Sequence, residues 1–317
     1  MSKHFEGWPH VIYAQQFSRE WLEGEFLPLT DEMETVFHNR GCEALRGMRM
    51  VSLFYQPSTR TRMSHEFAMD YLGGRVVFSS ENAREFSSGS KGETLRDTIQ
   101  VINRYHPDVI VIRYDRQIGA ELAAEVSNVP ILNAGDRDPG QHPTQALLDL
   151  RTLFKRRGGV IDGLKIAMVG DLKNGRTVRS LSYLLGKFND IEIYYVSPPD
   201  TQMKDDVKEY LGRHKVRFTE LTDLRDVAEV MDAIYQARTQ KECGTVIDRN
   251  DHSKGYYIVD KAIVQMMKVN SIIMHPLPRV DEITVDVDGD PRAVYLTEQI
   301  DSGLFTRMAL LKMILAP

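Results

Sequence analysis

Hydrophobic positions along the chain fall in short unbroken runs, separated by longer stretches in which apolar residues recur at helical spacing. In the first half the runs are Met50–Phe54, Arg75–Phe78, Val109–Ile112 and Pro130–Asn133. Helical patterns lie between them at Met63–Leu72, Thr94–Tyr105 and Glu121–Val126, and Gly73-Gly74 marks a turn. The second half repeats the alternation. Leu164–Gly170, Ile191–Val196, Ala233–Tyr235 and Ser271–Met274 read as strands, and Thr177–Leu185 as a helix. Short, wholly apolar strands alternating with helices predict an α/β fold, with parallel sheets covered by helices on both faces. His142–Arg156 reads as a helix crossing between the halves, and Asp301–Leu315 as a last helix with Leu304, Met308, Leu311 and Leu315 on one stripe.

A chain of 317 residues has room for two domains of ordinary size. With 42% hydrophobic and 27% charged residues it has a globular composition, and no apolar run approaches the ~20 residues needed to span a bilayer. The segment Met1–Glu6 lacks the apolar core of a secretory signal. A net charge of −5 argues against a nucleic-acid partner, and the cluster Lys155-Arg156-Arg157 suits a solvated helix C-terminus. Two cysteines, Cys42 and Cys243, are too few for a disulfide framework and fit a reducing cytoplasm. Nine histidines are scattered without metal-ligand spacing, so neither a metal nor another cofactor is expected. Gly170-Asp171-Leu172-Lys173-Asn174-Gly175 lacks the dinucleotide spacing G-x-G-x-x-G, which argues against NAD.

The most telling chemistry is Ser58-Thr59-Arg60-Thr61-Arg62, placed where a strand breaks at Pro57 and a helix begins. Hydroxyls, two arginines and outward N–H groups at a helix start make a compact anion site, suited to phosphate. The plain alternative is a capped helix with exposed arginines. The P-loop pattern is absent. Three further segments accompany it: Ser87-Ser88-Gly89-Ser90-Lys91-Gly92-Glu93-Thr94, Gln141-His142-Pro143-Thr144-Gln145, and His275-Pro276-Leu277-Pro278-Arg279. Together they resemble the carbamoyltransferases. The last segment, with Arg238-Thr239-Gln240, resembles their aspartate branch, and the likeness runs from about Gln15 to Leu315.

The resemblance implies two doubly wound α/β domains linked by two interdomain helices. Residues 1–149 would bind carbamoyl phosphate, with the helix of 298–317 packing back on them, and residues 150–297 would bind L-aspartate. It implies a step of pyrimidine biosynthesis, carbamoyl transfer from carbamoyl phosphate to the amine of aspartate, in a homotrimer with or without separate regulatory chains. By the motif match Ser58, Thr59, Arg60 and Thr61 hold the phosphate. Arg60 counters charge as phosphate departs, and Thr61, Arg113 and His142 reach the carbonyl oxygen. Gln145 and the backbone carbonyls of Pro276 and Leu277 meet the carbamoyl nitrogen. Lys91, Arg176, Arg238 and Gln240, with Leu277, receive aspartate, and Ser87 and Lys91 come from the neighbouring subunit to the phosphate. The demands are positioning and electrostatics, with no enzymic nucleophile. Because the phosphate and aspartate residues lie in different halves, closure of the domains is expected. A different amine acceptor and a non-catalytic paralogue are the competing readings.

Two positions depart clearly from the family pattern, and Ser64-His65 and Arg113-Tyr114-Asp115 depart mildly. Gln56 stands where glutamate is common, and Cys243 where arginine follows Gln240-Lys241-Glu242. In the familiar pattern these charges bridge the domains when closed, and losing both avoids leaving one buried and unpaired. Restoring them together, Gln56→Glu with Cys243→Arg, is expected to lower the KM for aspartate; an unchanged KM in the double variant overturns this.

Overall fold

The computed structural model describes residues 10–316 except 87, 117, 138–139 and 239–255. The chain divides into two compact units, one running to Arg151 and resumed from Asp301, the other Thr152–Ile300. Two helices, Pro143–Arg156 and Glu298–Leu315, carry the chain across the two boundaries.

The first unit holds a four-stranded parallel sheet of β1 (Arg49–Phe54), β2 (Arg75–Ser80), β3 (Val109–Arg113) and β4 (Ile131–Asn133), in the order β2-β1-β3-β4. The second holds β5 (Lys165–Val169), β6 (Glu192–Val196), β7 (Arg217–Leu221), β8 (Ala233–Gln236) and β9 (Ile272–Met274), in the order β7-β6-β5-β8-β9, also parallel. Helices follow the strands in both, so both sheets are of the doubly wound kind expected from the alternation of runs. The β-branched strand β3 is buried at every position because helices cover both of its faces. Its Ile110 and Ile112 join Val51, Leu53, Ile99 and Ile131 in one cluster. Burying each such side chain stabilises by about 1.5–3 kcal/mol. The core of the second unit is built around Ala167, Val169, Ile234, Ile263 and Ile273.

The sequence pattern missed β7. Arg217–Leu221 carries only Phe218 and Leu221 as apolar residues and lies at a sheet edge, half solvated, so it never forms the apolar run that betrayed the inner strands.

Strand order places the chemistry. The chain adds β2 on one side of β1 and then returns to add β3 on the other, so the order reverses between β1 and β3. In the second unit it reverses between β5 and β8. Ligands of open α/β sheets bind beyond the carboxyl ends of strands at such reversals.

Candidate active site

In the first unit, β1 ends at Phe54, and Tyr55 N–H donates to the Arg113 carbonyl at 2.8 Å. One turn later Ser58 is the N-cap of the helix Thr59–Tyr71, yet its side chain caps nothing. By contrast, Thr94 accepts from Asp97 N–H at the start of Leu95–Asn103. The first N–H groups of Thr59–Tyr71 are therefore left without a side-chain acceptor at the positive end of the helix dipole.

The two arginines of the motif differ. Arg62 is committed within the protein: Nη1 donates to Glu66 at 3.0 Å and to Ser79 at 2.7 Å, and Nη2 approaches Glu81 at 3.5 Å. Arg60 has no such carboxylate among the described residues. Desolvation lowers its pKa and no anion acts in the other direction. The Thr59 hydroxyl donates to Glu81 at 2.8 Å, and Thr61 is buried.

Arg113 closes β3 and is buried, with Nη1 donating to the Ala134 carbonyl at 3.3 Å. His142 is buried just before the helix Pro143–Arg156, and its carbonyl accepts from Gln145 N–H at 3.0 Å. Gln145 sits on the first turn of that helix, buried, and donates through Nε2 to Asp149 at 3.0 Å. Lys91 is exposed at the end of the short helix Ser88–Lys91. Ser87 lies outside the described residues.

In the second unit, β5 is followed by Gly170 with φ +113°. A Cβ there would stand 2.5 Å from the Ala237 carbonyl, so only glycine lets β5 pass β8 at this point. Asp171, fully buried, accepts from Asn174 N–H at 3.1 Å and folds the loop that delivers Arg176 to the first position of the helix Arg176–Leu185. Arg238 follows β8 by two residues. These two half-buried cations thus stand at the β5/β8 reversal. Gln240 and Cys243 lie outside the described residues.

The segment Pro276-Leu277 is held by a pair the sequence did not assign. Leu277 N–H donates to His275 Nδ1 at 2.7 Å, which makes that nitrogen an acceptor; Nε2 must then carry the proton it gives to Glu282 at 2.8 Å. Burial acts to raise the Glu282 pKa, but His275 and backbone N–H groups outweigh it and hold the carboxyl below its usual value. Gln299 accepts from His275 N–H at 3.0 Å. Leu277 takes φ +54°, so its carbonyl is aimed by a backbone conformation that the His275 bond supports. Leu277–Pro278 is a cis peptide. Among the described residues no cluster of His, Cys, Asp and Glu fits a metal ion, and no helix is long and apolar enough to cross a membrane.

Two strand-order reversals, one in each unit, the first lined by an anion-ready helix start and the second by two arginines, fit the domains of one protein family. Residues 9–155 match the model of the aspartate/ornithine carbamoyltransferase carbamoyl-P binding domain, and residues 162–314 that of the Asp/Orn binding domain. The chain belongs to the aspartate/ornithine carbamoyltransferase family. It is 52% identical to the chloroplastic aspartate carbamoyltransferase of Arabidopsis thaliana, over 96% of this chain and 77% of that protein. It is 44% identical to the aspartate carbamoyltransferase catalytic subunit of Methanocaldococcus jannaschii, over 96% of each. Among solved structures, aspartate transcarbamoylase of Trypanosoma cruzi in complex with carbamoyl phosphate and aspartate superposes with a TM-score of 0.89 at 38% identity, covering 99% of both chains.

One expectation is corrected here. Relatives from three plants at 50–52% identity are chloroplastic, which points to a plastid rather than the cytoplasm. The cytoplasmic reading rested on a missing secretory core and few cysteines, and neither bears on Arg- and Ser-rich transit segments.

His65, on the same helix as Arg60, also escaped assignment. It is fully buried, and its Nδ1–H donates to the Thr61 carbonyl at 2.8 Å. Burial and the Arg307 charge pull its pKa from 6.5 to about 3, against that hydrogen bond. The unfolded chain therefore takes up a proton below pH about 6.5 that the folded chain refuses. The stability due to this histidine is whole above that pH and is lost as pH falls. Its expected cost at pH 5, relative to pH 8, is about 2 kcal/mol. His65→Phe should flatten the fall of the urea midpoint between pH 7 and 5; an unchanged slope overturns this.

Proposed function

We propose that this chain is an aspartate carbamoyltransferase, transferring the carbamoyl group of carbamoyl phosphate to the α-amine of L-aspartate. The products are N-carbamoyl-L-aspartate, a pyrimidine precursor, and phosphate. The observation that carries the reading is Arg60, a cation without a carboxylate among the described residues, at the mouth of an uncapped helix. A phosphate dianion satisfies both the helix N–H groups and that guanidinium.

Ser58, Thr59, Arg60 and Thr61 take the phosphate. Arg113, Thr61 and His142 donate to the carbonyl oxygen, where negative charge builds as the amine attacks. Arg113 can serve phosphate and carbonyl together through its planar fork. Gln145 and the carbonyls of Pro276 and Leu277 fix the carbamoyl nitrogen. Arg176, Arg238 and Gln240 receive the two aspartate carboxylates. The amine forms a C–N bond to the carbonyl carbon, the C–O bond to phosphate breaks, and the departing phosphate takes the amine proton.

The active unit is a homotrimer in which Ser87 and Lys91 enter the neighbour's site. Support comes from the surface beside them. Phe86 is 82% exposed, Met63 and Phe67 are exposed on the helix Thr59–Tyr71, and Val77 and Phe78 are exposed on the edge strand β2. Apolar side chains gathered at an open sheet edge suit a partner surface. The shared site needs no other kind of chain.

The purified chain is expected to form N-carbamoyl-L-aspartate from carbamoyl phosphate and aspartate, and not to carbamoylate ornithine. Arg60→Ala should cut kcat/KM by about 10²-fold or more. Turnover with another amine only, or none, overturns the reading. Mixing Lys91→Ala with Arg238→Ala chains should restore activity above either parent through sites that draw an intact residue from each; no recovery rejects the shared site.

A further inference from the structure

Three buried polar side chains of the first unit have no part in the reaction as drawn: His65, Asp149 and Arg307. They stand on three different helices, Thr59–Tyr71, Pro143–Arg156 and Glu298–Leu315. Each has almost no exposure, which is unusual for an arginine and an aspartate.

Arg307 is the centre of the group. Its Nη1 donates to the Gly303 carbonyl, one turn back on its own helix, at 2.9 Å. Gly303 makes room for this. A Cβ there would stand 2.7 Å from Nη1 and 3.4 Å from Leu148, so a side chain would displace the guanidinium. Burial pulls the Arg307 pKa down to about 10, and the charge of Asp149 acts against that pull. A guanidinium keeps its charge at such a value, so the protein holds a cation in its interior with Asp149 as its electrostatic counterpart.

Each neighbour of Arg307 reaches a residue of the proposed site. Asp149 Oδ1 accepts from Gln145 Nε2 at 3.0 Å, which fixes the direction of that amide. His65 Nδ1–H holds the Thr61 carbonyl at 2.8 Å. That bond leaves His65 Nε2 as a bare acceptor, and it is buried without a hydrogen bond. Arg307 Nε–H is a buried donor likewise without one. An unmatched acceptor and an unmatched donor, coupled through the Arg307 charge, are complementary.

We propose that Arg307 is a positioning residue for carbamoyl phosphate, orienting Gln145 through Asp149 and the Thr61 turn through His65. The proposal rests on the carbamoyltransferase reading for the roles of Gln145 and Thr61. It makes the last helix of the chain, remote from every motif in sequence, part of the binding apparatus. Arg307 itself touches no substrate. Arg176 and Arg238, proposed for aspartate, belong to the other unit.

The test is direct binding of carbamoyl phosphate by calorimetry, with inorganic phosphate as a second probe and steady-state KM values beside it. Arg307→Met alone leaves Asp149 buried and uncompensated and endangers folding. The informative variants are Arg307→Met with Asp149→Asn, which removes both charges together, and His65→Phe, which removes both ring nitrogens and with them the bond to the Thr61 carbonyl. Melting temperatures accompany both. Both are expected to weaken carbamoyl phosphate, the charge-free pair by about tenfold, with the aspartate KM within about twofold of the parent, as loss of hydrogen-bonded orientation implies. Inorganic phosphate, which has no carbamoyl nitrogen for Gln145, should weaken less in the charge-free pair. A fall in melting temperature with unchanged carbamoyl phosphate binding overturns the proposal, because a structural role alone gives that pattern. An equal rise in both KM values also overturns it. A parent chain that binds carbamoyl phosphate without turnover sinks the reaction reading and leaves this test intact. A parent that binds none sinks both.

Discussion

The hydrogen bond from Tyr55 N–H to the Arg113 carbonyl is the last rung between β1 and β3, and the proposed phosphate site of the first unit begins where it ends. Up to that rung, β1 is paired with β2 on one side and β3 on the other. Beyond it the two chains part, because β1 must lead to a helix while β3 leads away toward β4. Parallel strands that diverge leave a crevice with free N–H groups, and only there can a polar ligand replace backbone partners. The second unit meets the same constraint at Gly170. Its lack of a side chain lets β5 run beside Ala237 before the loop turns toward Arg176.

Charge is distributed so that most of it is spent inside the protein. Arg62, Arg151 and Arg279 are each held by carboxylates, and Asp171 is held by Asn174. Against that background Arg60 stands out by lacking such a partner among the described residues, and it does so at the end of a helix dipole of the same sign. Like charges gathered without counterions raise the energy of the empty protein, and an arriving dianion relieves it. The neighbouring Glu81 works in the opposite direction. By taking the Thr59 hydroxyl and approaching Arg62, it keeps the positive field narrow and centred on Arg60.

What could be seen in the sequence follows from which interactions are local. The inner strands were legible because burial on both faces demands continuous apolar runs, as in Val109–Ile112. The start of the helix at Ser58 was legible because Pro57 and a hydroxyl residue mark it locally. Edge strand β7 was not, since half of its surface is solvated. Nor were His65, Asp149, Arg307 and Glu282. Each is polar and buried, and its partner lies either a turn away in an unremarkable pattern or on a distant helix. No periodicity reports an electrostatic coupling between Arg307 and residues more than a hundred positions earlier. Gly303 gave the one available signal, a glycine inside a long helix, which costs stability unless something needs the space.

The departures from the family pattern share a logic. Gln56 replaces a carboxylate by a neutral amide next to the buried Tyr55, and His65 is a neutral ring beside a buried guanidinium. In both places the chain keeps hydrogen-bonding capacity and declines a second charge. A carboxylate at 65 would pair with Arg307 directly, competing with Asp149 for it and loosening the hold on Gln145. An apolar ring would leave the Thr61 carbonyl without the bond that His65 Nδ1–H gives it. A neutral imidazole gives one nitrogen to the Thr61 carbonyl and adds no second charge near Arg307, and of the ordinary side chains only histidine offers a donor and an acceptor on opposite edges of one rigid ring.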